Sequence, residues 1–238
     1  MIKLFNEDNM DFDLYKNTGV KKVDMIVADY IYESLDFSWV EKYWSCLKDG
    51  GIFIAITDYH SSAEYKIFTQ QLSEANFVNW LTWKNEWGNH GRKQFAQVHD
   101  DIIIFSKGDG FRFNPDKAQI PKVTAKAKGL NKSGRETKVA TSVITDITLT
   151  TIAKERIKDG TGKNIRWQKP KELLDRIMKP FLIDNDIVLD PFAGSGTCGE
   201  VCGDNNWHYV GVEYDKKVFK IAEKRLKPLF NNKEYIPF

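Results

Sequence analysis

The segment Asp190–Thr197 carries the residue types and spacing of a cofactor-binding turn. It reads Asp-Pro-Phe-Ala-Gly-Ser-Gly-Thr, and it joins a short apolar run at 186–189 to a stretch of helical character that begins at Cys198. Gly194 and Gly196 have no Cβ atom, so the backbone can adopt positive φ angles there and approach a ligand closely. Many tight turns contain two glycines for structural reasons alone, so this turn does not establish a site by itself.

A second strand pattern strengthens the cofactor interpretation. Residues 208–212 are mostly apolar and lead directly into Glu213. An acidic residue about 20 positions after the glycines is where a ribose hydroxyl is held in a nucleotide-binding unit. The alternative is that Glu213 only solvates the edge of a sheet. The spacing favours the ribose-binding role.

The first half of the chain predicts the elements that position a second set of side chains. Residues 22–29 predict a strand that ends on Asp29, followed by a helix at about 37–47 with a glycine C-cap at 48–51. A strand at 52–56 comes next, and two later runs predict the antiparallel edge of the sheet. This strand–helix–strand alternation predicts an α/β protein with a doubly wound sheet. The two later strands are expected at 77–83 and 101–105.

Three motifs together resemble a known family. The turn at 190–197, the segment Gln168-Lys169-Pro170 and the strand end Gly211-Val212-Glu213 are similar to the S-adenosylmethionine-binding half of the β group of amino-methylating DNA methyltransferases. In that group the motifs are circularly permuted, so the catalytic half comes first. The resemblance implies a Rossmann-like methyltransferase fold with a mixed seven-stranded sheet and helices on both faces. It implies a catalytic half at 1–106, a target-recognition insert at 107–165 and a cofactor-binding half at 166–238.

The resemblance assigns the chemistry to the end of the strand that closes on Asp29. The family has Asp-Pro-Pro-Tyr there, where this chain has Asp29-Tyr30-Ile31-Tyr32. Methyl transfer to an exocyclic amino nitrogen needs hydrogen-bond acceptors aimed at the amino group, because its lone pair is delocalised into the ring. Asp29 and the backbone carbonyl of Tyr30 are the expected acceptors, and Tyr32 is expected to stack on the flipped base. Asp in the first position favours adenine over the 4-amino group of cytosine in this family.

The loop departs from the family pattern at its two middle positions. Prolines fix φ and remove amide donors, so Tyr30 and Ile31 are expected to leave the loop freer, with two more N–H groups to satisfy. Two alternatives stay open: Asp29 only caps the turn after its strand, or the chain is an inactive DNA-binding module or partner subunit. No cysteine follows a proline, so the covalent mechanism of 5-methylcytosine enzymes is not supported and direct in-line transfer is expected.

The resemblance implies S-adenosylmethionine as the cofactor. Asp8 follows the apolar run at 2–5 and matches an acid that contacts the adenine end of the cofactor in the family, although a solvated turn acid is the alternative. The residues expected to bind the cofactor are Asp8, Lys169, Pro170, Asp190, Pro191, Phe192, Gly194, Gly196, Thr197 and Glu213.

Basic residues concentrate between positions 117 and 138, where Glu136 is the single acid. The net charge is only +2, so this stretch stands out from the rest of the chain. Contacts with phosphates would bind double-stranded DNA in a salt-dependent way, whereas a solvated charged face is the alternative. The position of the stretch inside the expected recognition insert favours DNA. The residues expected to bind DNA are Lys122, Lys126, Lys128, Lys132 and Arg135.

Composition bounds the remaining possibilities. The chain has 238 residues, of which 42% are hydrophobic and 29% charged, which is typical of a globular domain. No apolar run is long enough for a membrane span, and no signal peptide is recognisable, so a cytoplasmic protein is expected. Cys46, Cys198 and Cys202 lack metal-ligand spacing, so neither a metal site nor a disulfide is expected. The family resemblance adds a possible homodimer and a role in restriction-modification.

Overall fold

A computed structural model of the chain describes residues 1–30, 35–85, 93, 95–122, 136–148, 155–159, 161–165 and 168–230. Within these ranges the chain forms ten strands and six α-helices. The strands are β1 (Ile2–Phe5), β2 (Val23–Asp29), β3 (Leu47–Thr57), β4 (Ala75–Lys84), β5 (His99–Lys107), β6 (Gln119–Pro121), β7 (Thr137–Val139), β8 (Val143–Ile144), β9 (Ile187–Asp190) and β10 (His208–Val212). The helices are α1 (Leu14–Thr18), α2 (Ser38–Trp44), α3 (Ser62–Thr69), α4 (Lys171–Met178), α5 (Thr197–Asp204) and α6 (Lys216–Leu226).

Eight strands form one mixed sheet in the order β1-β10-β9-β2-β3-β5-β4-β8. The pairs from β1 to β3 are parallel, whereas β5 is antiparallel to both β3 and β4. The predicted α/β class, the mixed sheet and the antiparallel region are therefore confirmed. Strands β6 and β7 form a separate antiparallel pair.

Alternation along the central strands explains why both faces of the sheet are covered. In β2, Met25 and Val27 belong to one buried cluster, whereas Ile26 and Ala28 belong to the other. Successive side chains of a strand point to opposite faces, so a parallel strand buried on both sides is apolar throughout. Helices α4, α5 and α6 contribute to the first cluster and α1, α2 and α3 to the second. Cys198 and Cys202 are buried in the first cluster, as expected of small core residues.

The predicted end of the second helix was wrong. Helix α2 ends at Trp44 with Ser45 as its C-cap, and residues 47–51 belong to β3 instead of forming a glycine C-cap. Backbone pairing decides this, because Leu47 lies opposite Val23 and is fully buried. Gly50 has a φ of 73°, and a Cβ atom there would lie 2.7 Å from the carbonyl oxygen of Gly110. The glycine is therefore required by a close backbone approach.

The sheet has one more strand than the seven predicted. Strand β8 has only two residues and pairs in parallel with β4. The residues after it are anchored on the main core, because Trp83 Nε1 donates to the carbonyl oxygen of Ile147 at 2.8 Å and Ile147 is buried. Part of the predicted insert at 107–165 thus packs on the main sheet. That residues 107–165 form a separate target-recognition region stays a prediction. No helix in the described ranges is long and apolar enough to cross a membrane.

Candidate active site

The candidate site lies at the carboxyl ends of the neighbouring strands β9 and β2. The chain leaves β9 through α5 to β10 on one side, and it leaves β2 through α2 to β3 on the other. The strand order therefore reverses between β9 and β2. A crevice forms at such a switch point, outside the carboxyl ends of the strands, and ligands of open α/β sheets bind there. The two strands end on Asp190 and Asp29.

The glycine turn has the backbone conformation that its sequence predicts. Gly194 and Gly196 have φ angles of 52° and 79°, in the left-handed region where a Cβ atom is strained. Gly196 is the N-cap of α5, and a Cβ atom there would lie 3.2 Å from the Cβ of Ala222 in α6. Within the described ranges, a Cβ atom on Gly194 would meet the carbonyl oxygen of Phe192 alone, at 3.8 Å. One glycine thus allows close helix packing, and the other leaves the turn thin on its open side.

Glu213 is connected directly to the glycine turn. Its Oε2 accepts a hydrogen bond from the backbone N–H of Gly194 at 2.8 Å, and its Oε1 accepts one from the N–H of Asp215 at 2.7 Å. Burial raises the pKa of Glu213, and the two backbone donors oppose that effect. The structure therefore brings together the acid and the turn, as the spacing predicts, while the ribose-binding role stays a prediction.

Asp190 is buried beneath the turn. Its Oδ1 accepts from the backbone N–H of Phe192 at 3.1 Å, and its Oδ2 accepts from the hydroxyl of Tyr209 at 3.1 Å. Burial is the main cause that raises the pKa of Asp190 to about 7, and the carboxylates of Asp29 and Glu213 contribute to that rise, whereas the hydrogen bonds from Phe192 and Tyr209 oppose it. Three acidic side chains thus meet at one end of the sheet.

The raised pKa of Asp190 predicts a pH dependence of stability. The native state holds the proton up to a pH of about 7, whereas the unfolded chain loses it at the ordinary value of 3.8. The free energy of unfolding is therefore expected to fall as the pH rises through this window, by about 1.4 kcal/mol per unit of pKa difference at most. Urea unfolding between pH 4.5 and 7.5 measures the fall.

Asp190→Asn provides the comparison for that measurement, because its amide stays neutral at every pH. We expect the variant to lose less stability than the parent over the same pH range. Equal pH dependence in the two proteins would contradict the raised pKa of Asp190.

Asp29 has an ionic partner from the other half of the chain. Lys169 Nζ lies 2.8 Å from Asp29 Oδ1 and 3.0 Å from Oδ2, and it lies 3.7 Å from Oδ2 of Asp100 in β5. The Lys169 side chain is 6% exposed, whereas that of Asp29 is 27% exposed. Lys169 was predicted as a cofactor ligand, and the structure places its ammonium on Asp29. Pro170 is buried and is the N-cap of α4.

The side chain of Tyr30 points into the core. It is 3% exposed and packs against the rings of Trp39 and Tyr65, with centroids 5.1 and 6.0 Å away. Its hydroxyl is hydrogen-bonded with Thr57 Oγ1 at 2.7 Å and Ser61 Oγ at 3.1 Å. The expectation that Tyr30 leaves its part of the loop freer is therefore wrong, because the buried ring and hydroxyl anchor this position. Ile31 and Tyr32 lie outside the described ranges.

Tyr30→Phe is expected to reduce stability by about 1–2 kcal/mol, because it leaves the buried hydroxyls of Thr57 and Ser61 without that partner. Urea denaturation monitored by circular dichroism measures the change. Tyr15→Phe is the matched control, since Tyr15 is 58% exposed on α1. Removing its hydroxyl is expected to change stability little. Equal effects of the two substitutions would show that the Tyr30 hydroxyl does not anchor the loop.

The aromatic residue of the turn connects the two halves. Phe192 is half-buried, and its ring meets that of Trp39 in an edge-to-face contact with centroids 5.0 Å apart. Trp39 also contacts Tyr30, so the turn after β9 and the loop after β2 share one aromatic cluster. Pro191 is buried beside Phe192.

Asp8 lies at the same edge of the sheet, after β1. Its carboxylate accepts a hydrogen bond from the backbone N–H of Met10 at 2.8 Å, and the residue is exposed. These contacts are those of a solvated turn acid, which is the alternative interpretation of Asp8. Asn6 donates to the carbonyl oxygen of Glu213 at 2.8 Å and so ties the ends of β1 and β10 together. The segment that carries Asp8 thus follows a strand neighbouring the end of β10, and a contact of Asp8 with a cofactor stays a prediction.

Arg225 is a residue that the sequence patterns did not single out. It projects from α6, and its Nη1 donates to Thr197 Oγ1 at 2.8 Å and to Ser195 Oγ at 3.3 Å. Its Nε donates to Glu200 Oε2 at 2.5 Å. Arg225 thus hydrogen-bonds with Ser195 in the turn and with Thr197, the first residue of α5. No local motif marks such a residue, because its partners are about 30 positions away.

The predicted DNA-binding residues fall mostly outside the described part of the chain. Lys122 follows β6, and its backbone N–H donates to the carbonyl oxygen of Glu136 at 2.9 Å. The other four, Lys126, Lys128, Lys132 and Arg135, lie outside the described residues. In sequence they fall between β6 and β7, which pair through Pro121 and Thr137.

Comparisons with known proteins agree with this geometry. M.HpaI, a Type II methyltransferase of Haemophilus parainfluenzae, is 28% identical over 240 residues, covering 91% of this chain and 72% of that protein. M.HinfI, a Type II methyltransferase of Haemophilus influenzae, is 31% identical over 204 residues. That alignment covers 84% of this chain and about half (53%) of M.HinfI. The crystal structure of the M1.HpyAVI-SAM complex is 22% identical with a TM-score of 0.67, covering 95% of this chain and 100% of that one, and so shares its fold. A family model described as DNA methylase (N6_N4_Mtase) matches residues 23–224, and the chain therefore belongs to this DNA methylase family.

Proposed function

We propose that this protein transfers a methyl group from S-adenosylmethionine to the exocyclic amino nitrogen of adenine in DNA. The observation that carries the proposal is the placement of Asp29 at the end of β2, next to the glycine turn that follows β9. The family includes amino-methylation of both adenine and cytosine. Asp in the first position of the catalytic loop supports adenine here.

The residues of the turn fit this cofactor on two observations. The turn at Gly194 has little protein against it among the described residues, and the carboxylate of Glu213 accepts a hydrogen bond from its N–H. The carboxyl groups of Glu213, Asp190 and Asp29 follow or end three neighbouring strands at the same end of the sheet. S-adenosylmethionine supplies an activated methyl group on a positively charged sulfur, and a cation is favoured beside acidic side chains.

Asp29 performs the central task in the proposed mechanism. Its ionised carboxylate accepts a hydrogen bond from the amino group of the base, which localises the nitrogen lone pair for attack on the methyl carbon. Lys169 keeps this carboxylate in place, and the anchored Tyr30 holds the start of the loop. When bound, the cofactor would supply the methyl group for direct in-line transfer to this nitrogen, which would release the neutral thioether and one amino proton without a covalent enzyme intermediate. Tyr32 is proposed to stack on the base once it has left the duplex.

Binding of the duplex is proposed to rest on the basic stretch. Lys122, Lys126, Lys128, Lys132 and Arg135 are the residues proposed to contact phosphates. Neutralising several phosphates releases counterions, so the affinity for DNA is expected to fall steeply as the salt concentration rises.

Nucleoside mass spectrometry tests the proposed reaction. DNA is taken from methylation-deficient cells that express this protein and from cells with an empty vector. We expect N6-methyladenine only in the first sample. N4-methylcytosine would correct the base while keeping the reaction class. Neither modified base, from a folded protein, would overturn the proposal in favour of an inactive binding module.

A further inference from the structure

We propose that Lys169 is the positioning residue of Asp29, and that its ammonium group separates and neutralises the carboxylates of Asp29 and Asp100. This inference rests on the proposed function, since it concerns how the proposed acceptor is held. The three side chains come from β2, β5 and the segment before α4, so one lysine connects the catalytic half with the cofactor-binding half.

Lys169 and Asp29 form a close, bidentate ion pair. Both carboxylate oxygens of Asp29 lie within 3.0 Å of Nζ, so the ammonium fixes the carboxylate plane from one side. The side chain of Asp29 is still 27% exposed, so Lys169 does not cover it completely. A carboxylate has about four lone-pair positions. The geometry therefore suits an acceptor that is held from behind and presented to a base.

Asp100 explains why a positive charge is needed at this position. Its side chain is 10% exposed, and its Oδ2 lies 3.7 Å from Lys169 Nζ. Its Oδ1 accepts a hydrogen bond from Asn85 Nδ2 at 3.0 Å. Two poorly solvated carboxylates facing the same point repel each other unless a cation lies between them. Loss of the ammonium would favour protonation or displacement of one carboxylate, and either change would impair Asp29 as an acceptor.

The backbone around Lys169 is held in place for this role. The side chain of Gln168 accepts from the N–H of Ile157 at 3.1 Å and donates to the carbonyl oxygen of Glu155 at 2.9 Å. Pro170 follows with its φ fixed at −63°. The anchored backbone and the burial of the side chain, which is 6% exposed, together restrict where the ammonium can lie. Moving it toward a cofactor would break its contacts with the carboxylates of Asp29 and Asp100, so a role as cofactor ligand is disfavoured.

The test compares Lys169→Met with the parent protein. Single-turnover methylation of unmethylated genomic DNA is measured at saturating tritiated S-adenosylmethionine, and cofactor affinity is measured by calorimetry. We expect the rate to fall about 100-fold or more, because a small displacement of a reacting group has that effect, while the cofactor Kd changes less than threefold. Lys179→Met is the matched control, since Lys179 pairs with Asp175 at the far end of α4.

A second variant separates positioning from general structural support. Asp100→Asn in the Lys169→Met background removes the competing carboxylate, so we expect it to recover at least tenfold of the lost rate and part of the lost melting temperature. A cofactor Kd raised tenfold or more in Lys169→Met would show a cofactor ligand and overturn the proposal. So would a rate within threefold of the parent, or no recovery in the double variant. Absence of methylation by the parent itself would instead count against the proposed function, while the Kd and melting data would still decide the role of Lys169.

Discussion

Asp29→Asn is expected to lower the single-turnover rate of methyl transfer by roughly 10³-fold, while binding of S-adenosylmethionine stays within threefold of the parent. Asparagine has nearly the shape of aspartate but carries no charge, and one of its two terminal groups donates instead of accepting. Removal of a single preorganised electrostatic contact to a developing charge typically has an effect of about 10²–10³ in rate. Loss of the ion pair with Lys169 adds to this effect, since Lys169 is buried and would lose its bidentate partner.

Asp24→Asn gives the matched control for this substitution. Asp24 lies in the same strand at its opposite end, where it pairs with Lys48 at 2.8 Å and accepts from the N–H of Ile187 at 2.9 Å. The chemical change is the same as in Asp29→Asn, but Asp24 lies far from the proposed acceptor. We therefore expect Asp24→Asn to lower the stability of the protein without lowering the single-turnover rate at saturating cofactor. If Asp29→Asn retained more than a tenth of the parent rate, Asp29 would be a capping residue at a strand end and the proposed acceptor would have to be sought elsewhere.

The parts of the fold that the sequence predicts correctly are those set by local pattern. A short strand, two glycines and an acid at fixed spacing predicted one strand–turn–helix–strand unit that leads into Glu213, and in the structure a hydrogen bond of 2.8 Å joins Glu213 to Gly194. Local pattern suffices there because the strand, turn, helix and strand form one continuous unit of the chain. The placement of Asp29 beside that unit followed from the doubly wound arrangement implied by the family resemblance.

The contacts that the sequence did not predict join distant segments or depend on side-chain direction. Lys169 and Asp29 are 140 positions apart, and no local periodicity specifies that a lysine will end on a given carboxylate. Tyr30 was expected to loosen its loop because it replaces a proline. Its ring instead packs on Trp39, which comes from the next helix, and this packing restores the anchoring by other means. The conformational preference of proline predicts how stiff an isolated loop is. At position 30 of this protein, packing of the Tyr30 ring in the core determines how firmly the residue is held.

The incorrect helix end has a related cause. Asp49-Gly50-Gly51 resembles a helix C-cap, but Leu47 is buried opposite Val23 and draws the segment into β3. Gly50 does have positive φ, as a C-cap glycine would, and it uses this conformation to let the backbone of Gly110 approach. The residue type was therefore informative about conformation, although it did not identify the element.

Gly194→Val is expected to weaken binding of S-adenosylmethionine about 100-fold or more. Among the described residues, a Cβ atom at this position would have one neighbour within 4 Å, so added methyl groups would occupy the side of the turn where the cofactor is proposed to lie. The N–H of Gly194 also holds Glu213, and a change of φ from 52° would displace that carboxylate. Isothermal titration calorimetry on the folded variant measures the affinity.

Gly19→Val separates this steric effect from backbone strain. Gly19 has a φ of 74° at the C-cap of α1, and a Cβ atom there would meet no atom of the described residues within 4 Å. Both substitutions place a side chain in the left-handed region, which costs roughly 1–2 kcal/mol of stability, so both variants should lose comparable melting temperature. Only Gly194→Val should lose affinity for the cofactor, because only Gly194 lies at the crevice between β9 and β2. Equal affinity in the two variants would mean that the cofactor does not approach this turn, and the cofactor assignments of Gly194 and Glu213 would fall together.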